Sequence, residues 1–139
     1  MQIKRIVTYS KKVWQDVNAL MVQWSNKGHI DQDYLKKVIR ENYLIGLYDG
    51  NTIVGMVTVI NLYKVSGLKG SIEHLILDER YRGAGWGKKL IQEAMKIAKK
   101  AGMKDISLTC EPHRKAANAL YKKIGFTAQD SIFYRKNLK

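Results

Sequence analysis

The chain has 139 residues, and its 25 lysines and arginines outnumber its 12 aspartates and glutamates, giving a formal net charge of +13 at pH 7. This length suits one domain with a single core and excludes two domains of ordinary size. The single cysteine, Cys110, excludes an internal disulfide, and no Cys/His cluster has zinc spacing, so we expect no metal. Without an 18-residue apolar run or a signal-peptide core, the protein is expected to be cytoplasmic and not membrane-bound.

The positive charge predicts an anionic partner. The basic residues are spread along the chain and are densest near positions 96 to 104 and 114 to 123. Either a solvated basic surface or a nucleic-acid interface would account for this distribution. We favour the solvated surface, because no nucleic-acid-binding motif accompanies the charge.

The first predicted elements are a strand over residues 2 to 8 and two helices. Apolar residues at helical spacing define the first helix: Val13, Val17, Leu20, Met21 and Trp24. Asp31 is suited to cap the second helix, which is shorter. Its predicted apolar face consists of Tyr34, Leu35, Val38 and Ile39.

An antiparallel hairpin is predicted next. Residues 43 to 47 alternate as a strand, Asp49-Gly50-Asn51 forms the turn, and residues 53 to 60 return as the partner. A loop containing Gly67 and Gly70 then leads to a strand over residues 71 to 77.

The second half is predicted to alternate between helices and strands. A helix follows the strand over residues 71 to 77, and its buried face is formed by Leu90, Ile91, Ala94, Ala98 and Ala101. Gly102 can end this helix, and a strand from Asp105 to Cys110 follows. Pro112 can open the last helix and Gly125 can close it, before terminal strands from Phe126 to Leu138.

The strand over residues 71 to 77, its helix and the strand from Asp105 to Cys110 predict a right-handed parallel crossover. The other strands are expected to pair antiparallel. The predicted fold class is therefore α/β (α+β), with a mixed, mostly antiparallel central sheet flanked by about four helices. We expect the ligand at the carboxyl edge of the parallel strands.

The segment Arg82-Gly83-Ala84-Gly85-Trp86-Gly87-Lys88 connects this strand to its helix and is typical of a phosphate-binding loop. Alternate glycines let successive backbone N–H groups face a ligand, and the helix N-terminus adds unpaired amides and a positive dipole end. A Walker loop is excluded, because its glycine spacing and its Ser or Thr after the lysine are missing. A dinucleotide-binding loop is excluded because Gly87 comes one residue early.

The sequence from Arg82 to Gly87 resembles the Arg/Gln-x-x-Gly-x-Gly/Ala signature of the GNAT superfamily of N-acetyltransferases. The segment from Asn118 to Phe126 is similar to a later element of the family, in which an asparagine and a tyrosine precede a Gly-Phe pair. The chain resembles small, single-domain bacterial and archaeal members. This resemblance implies one acetyltransferase domain over residues 1 to 139, acetyl-CoA as cosubstrate, and two parallel strands that splay apart.

The resemblance also implies which residues bind the cofactor. Its pantetheine arm would enter the gap between the splayed strands and pair with backbone groups of Leu75, Ile76 and Leu77. Its pyrophosphate would lie on the amides of Gly83, Ala84, Gly85, Trp86, Gly87 and Lys88. Arg82 and Lys88 would add charge, unless both are simply solvated, and Asn118 would hydrogen-bond the arm. Trp86 is expected to pack against the sheet or a helix.

Acetyl transfer to an amine needs a neutral nucleophile, a polarised carbonyl and protonation of the departing thiolate. Tyr121 matches the family tyrosine that faces the sulfur, so it is the candidate proton donor, although its ring could merely pack. Glu73 is the leading general base, with a cross-strand ion pair as the alternative. The N–H of Leu75 resembles the carbonyl-polarising donor. Alternation places Glu73 and Leu75 on one face and His74 on the other, unless a bulge intervenes.

Two adjacent residues are weaker candidates. Glu111 could accept a proton or contact the substrate, or it could stabilise the N-terminus of the following helix. Cys110 could form an acetyl-enzyme only as an activated, partly exposed thiolate, and a buried strand cysteine is favoured instead. Direct transfer in a ternary complex is therefore the preferred mechanism.

The acceptor is the part that the sequence determines least. Six residues could line an acceptor pocket or instead fill the core and hairpins: Trp24, His29, Tyr34, Tyr63, Phe133 and Tyr134. The basic charge disfavours polyamines, whereas small metabolites, antibiotics and peptide N-termini stay open, as do longer acyl groups and a homodimer. Two other functions are a non-catalytic acyl-CoA-binding regulator and a nucleic-acid-binding domain with salt-dependent affinity.

Overall fold

A computed structural model describes all 139 residues of the chain. Its elements are β1 (Gln2–Ile6), α1 (Lys11–Trp24), α2 (Gln32–Glu41), β2 (Tyr43–Asp49), β3 (Thr52–Lys64), β4 (Gly67–Leu77), a 3-10 helix (Glu79–Tyr81), α3 (Trp86–Lys100), β5 (Ile106–Ser107) and α4 (Lys115–Lys123). The chain divides into two compact units, Met1–Leu108 and Thr109–Lys139. The first unit contains β1 to β5 and α1 to α3, and the second contains α4.

The five strands form one sheet in the order β1-β2-β3-β4-β5. The first four strands pair antiparallel, whereas β4 and β5 pair parallel through Gly70 with Ile106 and Ser71 with Ser107. The parallel pair is joined by α3, as the crossover pattern predicts. The mixed, mostly antiparallel sheet with four α-helices confirms the predicted fold class.

Two capped helices cover one face of the sheet. The Ser10 hydroxyl accepts a hydrogen bond from the Val13 N–H at the start of α1, and the Asp31 carboxylate accepts one from the Tyr34 N–H at the start of α2. Buried residues of both helices pack with alternate residues of the strands, and this core consists of Ile6, Val17, Leu20, Leu35, Ile39, Leu44, Ile53, Met56 and Ile76. Trp24 and Tyr34 are exposed, so the buried faces of α1 and α2 are narrower than predicted.

The opposite face of the sheet is covered by α3, which packs against β2, β3 and β4. Ile45 and Leu47 point away from the α1 and α2 core and are fully buried, as alternation along β2 requires. The inward side of α3 is formed by Leu90, Ile91, Ala94 and Ala98, in agreement with the predicted helical spacing. Both faces of the sheet around β2 and β3 are therefore buried from solvent.

Several predicted boundaries of the strands need correction. The loop expected around residues 61 to 70 is instead a hairpin, because β3 and β4 stay paired from Ile60 with Ser71 to Lys64 with Gly67. The strand predicted from Asp105 to Cys110 contains only Ile106 and Ser107. A strand persists only where a partner supplies hydrogen bonds, and β4 is paired with β5 at just two positions.

The terminal strands predicted from Phe126 to Leu138 are wrong. Residues 126 to 139 contain no helix or strand, and the side chains of Ile132, Phe133 and Tyr134 are exposed. β-branched and aromatic residues favour a strand only when a neighbouring strand and a buried face are available. The second unit also begins its helix later than predicted, at Lys115, because Pro112 and His113 lie in a turn.

Truncation of Leu47 to alanine is expected to lower the free energy of unfolding by about 2 to 5 kcal/mol, because its side chain is 0% exposed between the two layers. Chemical denaturation followed by circular dichroism measures this change. Leu138→Ala is the matched control, since Leu138 is 90% exposed and its loss should change stability by less than about 0.5 kcal/mol. Similar losses in both variants would contradict the described core.

Candidate active site

The centre of β4 contains a β-bulge. Met56 of β3 is paired with Ile76, but Thr58 is paired with Glu73, so Val57 alone lies opposite His74 and Leu75. His74 has a φ of 51° and is the only residue other than glycine with a positive φ. The bulge interrupts the alternation along β4, and Glu73 and His74 are both exposed, whereas simple alternation would separate them.

The bulge lies beyond the point at which β4 stops pairing with β5. The ladder with β5 ends at Ser71, so the backbone from Ile72 to Leu77 has no partner strand on that side. The candidate arm-binding residues Leu75, Ile76 and Leu77 are all within this stretch. The side chain of Ile76 is buried in the core, which leaves its backbone as the part that could contact a ligand.

Glu73 is an exposed carboxylate, and its Oε1 accepts a hydrogen bond from the Ser71 hydroxyl at 3.0 Å. It takes part in none of the five ion pairs of the chain, so the ion-pair alternative for this residue is not supported. Beside it, the ring of His74 meets Trp24 edge to face, with 5.3 Å between ring centroids. The last turn of α1 thus contacts the bulge.

The phosphate-binding loop predicted from the sequence leads directly into α3. Gly83 and Gly85 have φ values of 84° and 85°, a conformation that other residues rarely adopt. Gly85 is the N-cap of α3, and no side chain there accepts a hydrogen bond from the helix. The first N–H groups of α3 therefore have no partner within the helix, and a positive dipole end is exposed.

The surroundings of the loop glycines are open. A Cβ atom added at Gly83 or Gly85 would find no heavy atom within 4 Å, and one at Gly87 would meet only Leu77 Cδ1, at 3.8 Å. Packing within the protein does not explain the glycine at position 87. The space at this position is available to a ligand that approaches the first turn of α3.

The side chains of the loop and of the first turn of α3 make different contacts. Arg82 donates from Nε to the Leu77 carbonyl at 3.2 Å, so its side chain folds back onto the end of β4. The Lys89 ammonium lies 4.5 Å from the centroid of the Trp86 ring, which is half-buried. Trp86 therefore contacts Lys89 of its own helix, and Lys88 is also half-buried.

In the second unit, Asn118 and Tyr121 both lie on α4. The Asn118 amide donates from Nδ2 to the carbonyls of Glu111 and Arg114, each at 2.9 Å, so it holds the turn that precedes the helix. This leaves the side-chain oxygen as the group that could contact a cofactor. Asn118 thus has a structural role at this turn, and its role in binding the coenzyme arm stays a prediction.

Tyr121 is half-buried, and its ring packs edge to face on Phe126, with centroids 6.0 Å apart. Burial is the main factor that raises the pKa of Tyr121 above its usual value; an electrostatic contribution from Cys110 adds to this effect and the positive charge of Arg114 opposes it. The neutral phenol is therefore favoured. Cys110 itself is partly exposed and lies beyond β5, so the buried strand position expected for it is wrong.

The residues proposed to line an acceptor pocket are not core residues. Exposed side chains include Trp24, Tyr34, Tyr63, Phe133 and Tyr134, and His29 is exposed as well. Among these residues, Trp24 contacts His74, the neighbour of the candidate base Glu73. No group of three or more His, Cys, Asp or Glu side chains could hold a metal ion. None of the helices combines the length and apolar character needed to span a membrane.

The sequence patterns did not predict one cluster of hydrogen-bonded side chains, which lies at the end of β4. Asp78, immediately after β4, accepts hydrogen bonds from Gln23 of α1 and from Arg80, and the Tyr81 hydroxyl donates a hydrogen bond to Asp49 at 2.6 Å. An aspartate at the end of an apolar strand is a recognisable capping signal, and Asp78 does cap the 3-10 helix. Its bond to Gln23, 55 positions away, has no local signature.

Known proteins match both the sequence and the fold. Residues 12–126 match the model of a family described as acetyltransferase (GNAT). Over 135 residues the chain is 27% identical to N-alpha-acetyltransferase 30 of Schizosaccharomyces pombe, covering 92% of this chain and 87% of the relative. Over 133 residues it is 31% identical to the uncharacterized N-acetyltransferase YhdJ of Bacillus subtilis, covering 89% and 92%.

A solved structure shows that the fold is shared as well. The chain superposes on an aminoglycoside acetyltransferase from an uncultured soil metagenomic sample with a TM-score of 0.85 and 20% identity, covering 99% of this chain and 96% of the other. The motif, the fold and the family match agree. This chain belongs to the acetyltransferase (GNAT) family and is an acetyltransferase enzyme.

Proposed function

We propose that this protein transfers the acetyl group of acetyl-CoA directly to a primary amine while both substrates are bound. The observation that carries the proposal is the N-terminus of α3, which lacks a side-chain cap and follows two glycines of positive φ. Such a terminus suits a pyrophosphate. The unpaired edge of β4 that precedes it suits an extended arm containing amides, which can bond to a strand edge.

The proposed cofactor site uses mainly backbone groups. Leu75, Ile76 and Leu77 would pair with the arm, and the loop would hold the pyrophosphate through Arg82, Gly83, Ala84, Gly85, Trp86, Gly87 and Lys88. The Lys88 ammonium supports this assignment, since it adds positive charge to the first turn of α3. The Asn118 oxygen would contact the arm as a secondary ligand.

The proposed chemistry divides between three groups. Tyr121 would donate a proton to the departing thiolate, a role that its raised pKa supports because the hydroxyl stays protonated at neutral pH. The N–H of Leu75, inside the bulge, would polarise the thioester carbonyl. Glu73 would accept the proton of the attacking amine through water, and its exposure and lack of an ion pair support this role.

Replacement of Glu73 by glutamine is expected to lower kcat by about 100-fold, because an amide cannot accept the amine proton. Steady-state kinetics with saturating acetyl-CoA measures the loss, and the KM for acetyl-CoA should change little. Glu41→Gln, at the exposed end of α2, provides the control. If both variants retain full turnover, Glu73 is not the proton acceptor.

The acceptor is proposed to be a primary amine, and a peptide N-terminus is the first class to test, because one relative is named an N-alpha-acetyltransferase. The test is release of free thiol from acetyl-CoA across short peptides, amino acids, amino sugars, aminoglycosides and polyamines, with a no-acceptor control. Rapid release with one class supports the proposal and names that class. Saturable acetyl-CoA binding without release for any acceptor would favour the regulator.

A further inference from the structure

The side chain of Asp78, which precedes the phosphate-binding loop, accepts four hydrogen bonds. The residue is 7% exposed, and its Oδ1 accepts hydrogen bonds from the Arg80 N–H at 3.0 Å and from Arg80 Nε at 3.1 Å. Its Oδ2 accepts from Arg80 Nη2 at 3.2 Å and from Gln23 Nε2 at 3.1 Å. Both carboxylate oxygens are thus saturated by donors within the protein.

The backbone around Asp78 is fixed as well. Its N–H donates to the Val54 carbonyl at 2.8 Å, and the N–H of Glu79 donates to Gln23 Oε1 at 3.4 Å. Gln23 therefore bridges α1 to the connection between β4 and α3 with both ends of its amide. Three residues after Asp78, the Tyr81 hydroxyl donates a hydrogen bond to Asp49 at the end of β2.

These bonds lie between the two places where the donor substrate would be bound. The bulge at His74 and Leu75 precedes Asp78 on β4, and the loop glycine Gly83 follows five positions later. No side chain caps α3, and a Cβ atom added at Gly83 or Gly85 would meet no heavy atom within 4 Å. The position of the loop relative to β4 is therefore determined by the short segment that Gln23, Asp78 and Arg80 hold in place, together with the bond from Arg82 to the Leu77 carbonyl.

A buried negative charge close to an anion site would normally weaken anion binding. The charge of the Asp78 carboxylate must therefore be balanced by a positive group. The Arg80 guanidinium balances the charge, and its hydrogen bonds hold the pKa of Asp78 well below the usual range. The group stays ionised and bonded at neutral pH. Its side chain makes no contact that would place it among the reacting groups.

We propose that Asp78, held by Gln23 and Arg80, is a positioning residue that sets the distance between the bulge of β4 and the phosphate-binding loop. The inference rests on the proposed function, because it assumes that the loop binds the pyrophosphate of acetyl-CoA. The spacing lets one donor molecule engage both places at once. Misplacement of such a site by about 1 Å can cost about 100-fold in rate.

The test compares two donors in the Asp78→Asn variant. S-acetylpantetheine has the thioester and the arm but no pyrophosphate or nucleotide, so it does not use the loop. We expect kcat/KM with acetyl-CoA to fall by about 10- to 100-fold, mostly through KM, whereas kcat/KM with S-acetylpantetheine changes by less than about twofold. Asp33→Asn, an exposed aspartate paired with Lys36 at 3.4 Å, is the control.

A second variant tests the same inference in case Asp78→Asn does not fold. Gln23→Met removes the bridge from α1 but leaves the pair of Asp78 and Arg80 intact, and Gln23 is exposed. We expect a smaller loss, about threefold to tenfold, that is again confined to acetyl-CoA. Equal losses with both donors, or no loss with either, in the variants that fold would overturn the positioning role.

The wild-type protein separates this inference from the proposed function. If the loop binds the pyrophosphate, wild-type kcat/KM must be much higher with acetyl-CoA than with S-acetylpantetheine. A wild-type protein that uses both donors equally would overturn the proposed loop and, with it, the role of Asp78. A wild-type protein that discriminates, combined with variants that lose activity equally on both donors, would overturn the role of Asp78 alone.

Discussion

Replacement of Gly85 by glutamate is expected to raise the Kd for acetyl-CoA by at least about 100-fold. Gly85 is the N-cap of α3 with a φ of 85°, so any other residue is strained there by roughly 1 to 2 kcal/mol. The new carboxylate would also lie at the dipole end where the pyrophosphate should bind, and like charges repel strongly at short range. Isothermal titration calorimetry with CoA and acetyl-CoA measures the loss.

The same helix supplies a matched control for the backbone strain. Gly102 follows the C-terminal end of α3, has a φ of 81°, and would have no heavy atom within 4 Å of an added Cβ. Gly102→Glu therefore introduces the same residue in a similar conformation, but far along the helix from the loop. We expect it to destabilise the fold and to leave the Kd for acetyl-CoA nearly unchanged. Equal affinity of both variants for acetyl-CoA would refute the phosphate-binding assignment.

Replacement of Tyr121 by phenylalanine is expected to lower kcat by about 100-fold while acetyl-CoA still binds. The ring and its edge-to-face contact with Phe126 are kept, so only the hydroxyl is lost. Because burial raises the pKa of Tyr121 above its usual value, the proton-donating form is present across the physiological range. The alkaline decline of wild-type kcat that reflects this group should lie at higher pH than the titration of an ordinary tyrosine, and it should disappear in the variant.

Tyr48 provides the control for Tyr121→Phe. It is also half-buried, burial is also the main factor that raises its pKa, and it lies on β2 beneath the ammonium of Lys4, at 4.5 Å from the ring centroid. Tyr48→Phe removes a hydroxyl from a comparable environment that the proposed mechanism does not use. Turnover should stay within about twofold of wild type. A loss of similar size in both variants would indicate a general effect on the fold.

The distinction between ring packing and proton donation also depends on this pair of variants. The contact between Tyr121 and Phe126 is present, so a packing role for the ring is real. It does not exclude the chemical role, because the two roles use different parts of the side chain. If Tyr121→Phe retains wild-type kcat and the same pH profile, the proton must come from another group.

Local patterns were sufficient for most of the first unit. The cap at Asp31, the apolar spacing of α3 and the glycines before it are each encoded within a few residues, so they could be predicted without knowledge of the fold. The phosphate-binding loop belongs to this class, since strand, glycines and helix are contiguous. The family match over residues 12–126 confirms the family resemblance that this loop suggested.

Contacts between residues far apart in the sequence determined the features of the fold that local patterns did not predict. The bulge at His74 and Leu75 exists because β3 and β4 pair with unequal spacing, and the bond from Gln23 to Asp78 joins positions that only the fold brings together. The strands predicted for Phe126 to Leu138 failed for the same reason, because strand propensity is local but a strand needs a partner. The sequence by itself therefore determined the glycine loop and the order of elements as far as α4, and the tertiary structure decided where strands end and which side chains hold the loop.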